Sequence, residues 1–359
     1  MWPPPEAGKG PLMPTHDVLI IGAGQAGLAM GYHLAQRDVD FLILDASPRI
    51  GDVWRNRYDS LVLFSASQYN HLPGMPFPKA PDTYPTKDEV ADYLETYASV
   101  FGLPVRLDSP VTALTPTPDG YRVDTPTETY LARQVVIATG PFQTPFVPPF
   151  AQNLAPSVFQ VHSSLYRNPD QLPPGDVLVV GAGNSGAQIA EELARTRKVH
   201  LAIGRKQPQL PQEFLGKTIF WWLKALGAFD VTVDSPAGRW LQARDPLFGT
   251  DLRKLQRDFG VERMPRVTHA DSETVHFADG RKLSVSAIVW ATGFRLEYPW
   301  VKAPVFDANG QPQHRRGVSP SPGLYFLGLP WQVRRGSALL LDVGRDAASL
   351  AEQIVTFRA

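Results

Sequence analysis

Apolar residues in this chain gather in short unbroken runs rather than alternating with polar ones. Val18-Leu19-Ile20-Ile21, Phe41-Leu42-Ile43-Leu44 and Val177-Leu178-Val179-Val180 have the length and composition of buried strands in a parallel sheet. The first and third run into glycine turns and then into helical stretches such as Leu28-Ala29-Met30-Gly31-Tyr32-His33-Leu34-Ala35. Thr86 with Glu89 three residues on predicts a capping box. Val90, Tyr93, Leu94 and Tyr97 give the helix behind it one apolar face. Residues 105–137 predict a meander of strands with a hairpin at Asp119-Gly120, ending in Val135-Val136-Ile137-Ala138-Thr139-Gly140. A second hairpin signal, Asp279-Gly280, precedes Ile288-Val289-Trp290-Ala291-Thr292-Gly293. Gly323-Leu324-Tyr325-Phe326-Leu327-Gly328 predicts one more short strand, and Arg345 to Thr356 a closing helix.

The strand–turn–helix pattern carries chemistry. In Gly22-Ala23-Gly24-Gln25-Ala26-Gly27 the first glycine permits the tight turn and the second lets backbone approach a pyrophosphate. The third lets helix pack on strand, and the helix N-terminus presents free N–H groups to the phosphates. Asp45 ends the second apolar run 23 positions after Gly22, where an acid usually takes the ribose 2′-hydroxyl. The whole pattern recurs at Gly181-Ala182-Gly183-Asn184-Ser185-Gly186. From first glycine to Thr139 or Thr292 the two copies measure 117 and 111 residues. The predicted fold class is therefore α/β, with two Rossmann-like dinucleotide-binding domains, each carrying an inserted β-meander. Residues 16–150 and 294–359 form the first domain, 151–172 a linker, and 173–293 the second domain with a helical insert at 207–265. A Pro- and Gly-rich tail, expected to be disordered or extended, occupies 1–15.

A chain of 359 residues, 43% hydrophobic and 19% charged, can bury two cores. Thirty-five basic residues balance thirty-five acidic ones, which removes any charge-based argument for nucleic acid or an anionic membrane surface. No apolar run approaches the roughly 18 residues of a membrane span. The Met1-Trp2-Pro3-Pro4-Pro5 start lacks the features of a signal peptide, so the expected location is the cytoplasm. Cysteine is absent, which excludes a protein dithiol relay and thiolate-held iron–sulfur clusters. No Ser–His–Asp set, paired carboxylates or metal-ligand spacing is apparent.

Charge separates the two nucleotide sites. Asp45 repels a 2′-phosphate and suits a free ribose hydroxyl, whereas the matching strand of the second copy ends in Gly204-Arg205-Lys206. A basic pair in place of the acid suits a 2′-phosphate. The first site is thus expected to hold FAD and the second NADPH. Residues 207–265, including Phe214-Leu215-Gly216-Lys217-Thr218-Ile219-Phe220-Trp221-Trp222-Leu223, have no counterpart in the first copy. Their pattern fits a substrate lid, a dimer surface, an interfacial helix, or a helical pair packing its own aromatics.

Both fingerprints, both Ala-Thr-Gly turns, Gly51-Asp52-Val53-Trp54, Leu72-Pro73-Gly74-Met75-Pro76-Phe77-Pro78 and the Gly323–Gly328 strand resemble the two-domain flavoproteins. Among these, the chain is most similar to small bacterial class B flavin-dependent monooxygenases and also to plant indole-pyruvate monooxygenases. The resemblance spans about 16–357 and is weakest over 207–265. It implies that NADPH reduces bound FAD, which activates O2 as a C4a-(hydro)peroxide for N- or S-oxygenation, or Baeyer–Villiger insertion, of a small organic substrate. It further implies an FAD site that includes Gln25, Ala26, Ala46, Trp54, Leu63, Phe64, Val111, Thr139, Gly140, Asp342 and Val343. On the NADPH side it implies Asn184, Ser185 and Thr292 beside the glycines and the basic pair. His162 and Tyr166 match the second half of the family's linker fingerprint, but Phe159 stands only three residues before the histidine and the fingerprint glycine is missing. Phe64 stands where larger members carry an asparagine facing the flavin, which shortens the expected life of the oxygenated flavin. Two other readings stay open: an NADPH-dependent flavin reductase serving a small acceptor, and a flavin-bound scaffold or sensor. A homodimer is compatible with each.

Overall fold

A computed structural model describes residues 15–205, 207–249 and 251–358. The tail expected over 1–15 falls outside them except for Thr15, which opens the first strand; Lys206 also falls outside.

Two sheets, one mixed and one wholly parallel, organise the molecule. In the first, seven-stranded sheet, Thr15–Ile21 lies between Phe41–Leu44 and Thr129–Ile137, with Val105–Arg106 at one edge. Thr129–Ile137 serves two roles. Its first half pairs antiparallel with Gly120–Asp124, which pairs with Ala113–Thr117, and its second half pairs parallel with Leu324–Phe326. The second, five-stranded sheet has the order Glu262–Met264, Val199–Ala202, Val177–Val180, Ala287–Trp290, Phe159–His162, all parallel. The segment expected as a linker thus supplies an edge strand, held by pairing to Ala287–Trp290.

The unbroken apolar runs follow from burial on both faces. Val18 and Ile20 join one core while Leu19 and Ile21 join another on the opposite face; Val177 and Val179 are likewise separated from Leu178 and Val180. Helices Gln25–Ala35, Lys87–Val100 and Leu340–Arg358 cover one face of the first sheet. Thr86 accepts from the Glu89 N–H at 3.3 Å while the Glu89 carboxylate accepts from the Thr86 N–H at 2.8 Å, and Val90, Tyr93, Leu94 and Tyr97 are buried. The closing helix begins at Leu340, five residues before the expected Arg345, because Leu340 and Val343 already bury in that core. A three-stranded antiparallel sheet, Val267–Asp271, Thr274–Phe277 and Lys282–Ser284, covers one face of the second sheet.

The insert does not pack only on itself. Its Ile219, Phe220, Phe229 and Phe248 form a core with Ala66 and Tyr69 of the first domain, against which Phe64 also packs. Phe214, Leu215, Trp221, Leu226 and Trp240 remain exposed. The helical-pair expectation holds in part: Phe220 packs on Phe229 and Phe248 of the insert itself, at 5.5 and 5.2 Å, but the same cluster also takes in Ala66 and Tyr69, and the insert has three helices, Ile219–Ala225, Pro236–Ala243 and Leu252–Phe259.

Candidate cofactor sites

The two glycine turns have nearly the same geometry. Gly22 and Gly181 both sit at φ +109°, where a Cβ would lie 2.7 and 2.2 Å from a carbonyl oxygen of the neighbouring strand's end. A Cβ on Gly27 would fall 1.8 Å from the Gly22 carbonyl oxygen, and one on Gly186 1.8 Å from that of Gly181. These four positions are glycine because the fold leaves no room. Gly24 and Gly183 differ: nothing lies within 4 Å of a Cβ there. Each is the N-cap of its helix, Gln25–Ala35 or Asn184–Ala194, with no side chain satisfying the first N–H groups. Open space in front of unsatisfied donors and a positive helix end fits an extended diphosphate.

The residues beyond the loops carry opposite charge. Asp45 accepts from the Ala23 N–H at 2.6 Å and the Ser47 N–H at 2.8 Å, which holds its carboxylate over the first turn. Arg205, exposed just past Val199–Ala202, donates to the Ala243 carbonyl at 2.7 Å, where the helix Pro236–Ala243 ends. The negative helix end steadies the guanidinium. Asn184 keeps a buried side-chain oxygen without a hydrogen-bond partner, and Ser185 is exposed beside it.

Around the first loop, Gln25 donates to the Ala338 carbonyl at 3.2 Å, tying the helix start to the turn before Leu340–Arg358. Ala26, Leu63 and Val343 are buried, Val111 is partly so, and Ala46 is exposed. Thr139 and Gly140 both accept from the Gln143 side chain, and a Cβ on Gly140 would meet nothing within 4 Å. Trp54 Nε1 and one Asp342 carboxylate oxygen are buried without partners. Burial pushes the Asp342 carboxyl above its ordinary range, against the pull of Arg345 and Arg334. Unsatisfied buried donors and acceptors are costly, about 1–3 kcal/mol each, unless a ligand meets them. The residues present therefore fit FAD at the first loop and a pyridine nucleotide at the second. A separate pocket of about 600 Å3, lined by His71, Met75, Phe77 and Lys79 among others, includes neither loop.

Where the domains meet, Phe64 stacks on Phe220 at 5.9 Å and on Phe248 at 6.0 Å. Arg335 lies 4.1 Å over the Phe248 ring and donates to Asp245 at 2.8 Å. Burial lowers its guanidinium pKa, and Asp245 opposes that. Arg57 lies over Phe142 and Phe294 at 4.9 and 5.3 Å, and Tyr58 donates to Gln188 at 2.9 Å across the two domains. Neither Arg335 nor this bridge was singled out in the sequence, because each acquires its role from a partner far along the chain.

His162 ends the edge strand. Its Nε2 lies 3.0 Å from the Gly293 carbonyl, and its Nδ1 accepts from the Ser164 N–H at 3.1 Å. That assignment puts the proton on Nε2 of a neutral ring, in line with burial, which pushes its pKa below the ordinary 6.5. The histidine ties the Thr292-Gly293 turn to the edge strand. Thr292 itself donates to the Phe146 carbonyl, and Tyr166 donates to Glu192 at 2.7 Å.

Residues 19–215 match the family model described as pyridine nucleotide-disulphide oxidoreductase. The chain is 50% identical to the uncharacterized oxidoreductase CzcO-like of Geobacillus kaustophilus, over 94% of this chain and 98% of that protein. It is 30% identical to indole-3-pyruvate monooxygenase YUCCA1 of Oryza sativa, over 94% of this chain and 90% of that protein. Its structure is similar to the flavin-containing monooxygenase from Stenotrophomonas maltophilia, with TM-score 0.80 and 28% identity, covering 97% of this chain and all of that one.

Proposed function

The chain belongs to the pyridine nucleotide-disulphide oxidoreductase family and is an oxidoreductase that uses FAD and NADPH; from that premise we propose that it is a monooxygenase of small organic molecules. One observation carries the choice within the family. A chain with no cysteine cannot relay electrons from flavin through its own dithiol, so they leave the flavin directly for an acceptor. The similarity to monooxygenases in sequence and in structure makes O2 the preferred acceptor.

When bound, FAD supplies the redox chemistry, taking hydride from NADPH and reacting, once reduced, with O2. The chain's part is placement and exclusion of water. The Gly22–Gly27 turn and its helix hold the FAD pyrophosphate, Asp45 takes a ribose hydroxyl, and Trp54 and Asp342 offer their unsatisfied atoms. The Gly181–Gly186 turn holds the NADPH pyrophosphate, and Arg205 takes the 2′-phosphate. His162 fixes the turn at Gly293. The Phe64–Phe220–Phe248 cluster closes the region between domains with apolar surface. Substrates that suit this arrangement are soft nucleophiles such as amines and sulfides, or ketones for insertion beside the carbonyl.

Phe64 also gives weight to a second reading, in which the protein is an NADPH oxidase or reductase, because its ring can neither donate nor accept a hydrogen bond where larger members carry an asparagine. Without substrate, the wild-type protein is expected to oxidise NADPH and release hydrogen peroxide rapidly, and Phe64→Asn to slow that release. Peroxide is measured alongside NADPH consumption, with flavin content and circular dichroism as folding controls. An unchanged peroxide yield in a folded, flavin-loaded variant would remove Phe64 from the mechanism.

A further inference from the structure

The three-stranded sheet Val267–Asp271, Thr274–Phe277 and Lys282–Ser284 carries a side-chain cluster that neither cofactor site uses. Its first two strands pair antiparallel with His269 opposite His276 and Asp271 opposite Thr274. Strict alternation from Val267, which faces the core, would turn His269 inward as well. The register shifts between Val267 and His269, so Thr268 is an extra residue and both His269 and Asp271 emerge on the outer face, while Ala270, Val275 and Phe277 are buried beneath. The bulge therefore brings two imidazoles and a carboxylate onto one surface.

Their geometry is that of a ligand set. The imidazole rings stack with centroids 3.9 Å apart at 16°. His276 Nε2 lies 2.8 Å, and His269 Nε2 3.7 Å, from the same Asp271 carboxylate oxygen. Among the described residues, this is the one group of three such side chains that could each offer a ligand atom to a single ion, all within 4.8 Å of one another. Two donors about 2.0–2.1 Å from a tetrahedral ion stand roughly 3.3 Å apart, between the two observed distances. Despite its nearness to Asp271, His276 Nε2 is buried without a hydrogen-bond partner, so the contact is not aligned as an N–H···O bond. Beside His269, Thr268 Oγ1 stands 3.4 Å from Nδ1 and donates to the His276 carbonyl at 3.2 Å, linking the two strands.

We propose that His269, Asp271 and His276 form a binding site for a borderline divalent transition-metal ion, with Zn2+ as the type case. Two imidazoles and one carboxylate without a thiolate suit Zn2+, Cu2+ or Ni2+ better than Ca2+ or Mg2+, which prefer all-oxygen shells. Three protein ligands leave the fourth position of a tetrahedral ion to water. The ion pins the bulged strand to its neighbour. This revises the expectation of no metal-ligand set, since the ligands meet only through the cross-strand register.

The test uses the full-length, untagged, flavin-loaded protein, freed of metal by chelation and desalting and titrated with ZnCl2 in a calorimeter. One saturable equivalent, reversed by EDTA, is expected. Loss of an outer-shell partner alone typically weakens metal affinity 10- to 100-fold, so Asp271→Asn and His269→Gln should each weaken binding at least about 10-fold. His269 is exposed, so its variant should fold, which flavin retention and circular dichroism check. Cu2+ bound to the wild type should show superhyperfine coupling to two imidazole nitrogens by electron paramagnetic resonance, and to one in His269→Gln. No saturable Zn2+ binding by the wild type, equal affinity in the folded variants, or an unchanged Cu2+ spectrum in His269→Gln would overturn the proposal.

Discussion

Gly24→Val should give a folded protein that purifies almost free of flavin. The backbone at Gly24 has φ −77° and ψ −173°, an extended conformation open to any residue, and nothing in the protein lies within 4 Å of a Cβ built there. The side chain would instead fill the space in front of the first helix N–H groups, the proposed place of the pyrophosphate. Losing two charge-assisted hydrogen bonds, at about 1.5–3 kcal/mol each, costs roughly two to four powers of ten in affinity at about 1.4 kcal/mol per tenfold. Gly27→Ala is the contrasting variant. Its Cβ would fall 1.8 Å from the Gly22 carbonyl oxygen, so helix and strand must separate and soluble protein should be lost. Flavin absorbance per protein, with circular dichroism for folding, checks both. A fully flavinated Gly24→Val protein would show that this turn does not carry FAD.

Arg205→Ala should weaken NADPH by roughly 10- to 150-fold while changing NADH by less than about threefold. One charge-assisted contact of about 1.5–3 kcal/mol corresponds to that range at about 1.4 kcal/mol per factor of ten. Arginine suits the task because its planar fork makes two parallel bonds to phosphate oxygens. The hydrogen bond to Ala243 keeps the guanidinium near the strand end before coenzyme arrives. Kd values for both coenzymes should be compared at one ionic strength and again at higher salt, because a diffuse surface charge would be screened. Equal losses for NADPH and NADH would mean that Arg205 does not select the 2′-phosphate.

Features set by local backbone geometry were legible in the sequence. The glycine turns, the Asp45 carboxylate over the first of them and the Thr86–Glu89 box each depend on residues within a few positions of one another or on a fixed strand–turn–helix spacing. Features set by distant partners were not. Phe159–His162 has only two apolar residues and reads as a linker, yet becomes a strand because Ala287–Trp290 offers it an open edge. Phe64 shows nothing in its own neighbourhood of Phe220 and Phe248, so the docking of the insert was invisible. His269 and His276 meet through a single bulged residue, and a one-residue error in register would place them on opposite faces.

Reaction of the reduced protein with O2 separates a monooxygenase from a reductase or oxidase. The flavin-loaded protein is reduced with NADPH under anaerobic conditions, so that NADP+ remains bound, and mixed with O2 in a stopped-flow spectrophotometer. A monooxygenase should pass through an oxygen-dependent transient whose spectrum differs from both reduced and oxidised flavin, and excess NADP+ should lengthen its life even if Phe64 keeps that life short. Return to oxidised flavin in a single step, at a rate indifferent to NADP+ and unchanged in Phe64→Asn, would rule out a monooxygenase and leave an NADPH-dependent reductase or oxidase in its place.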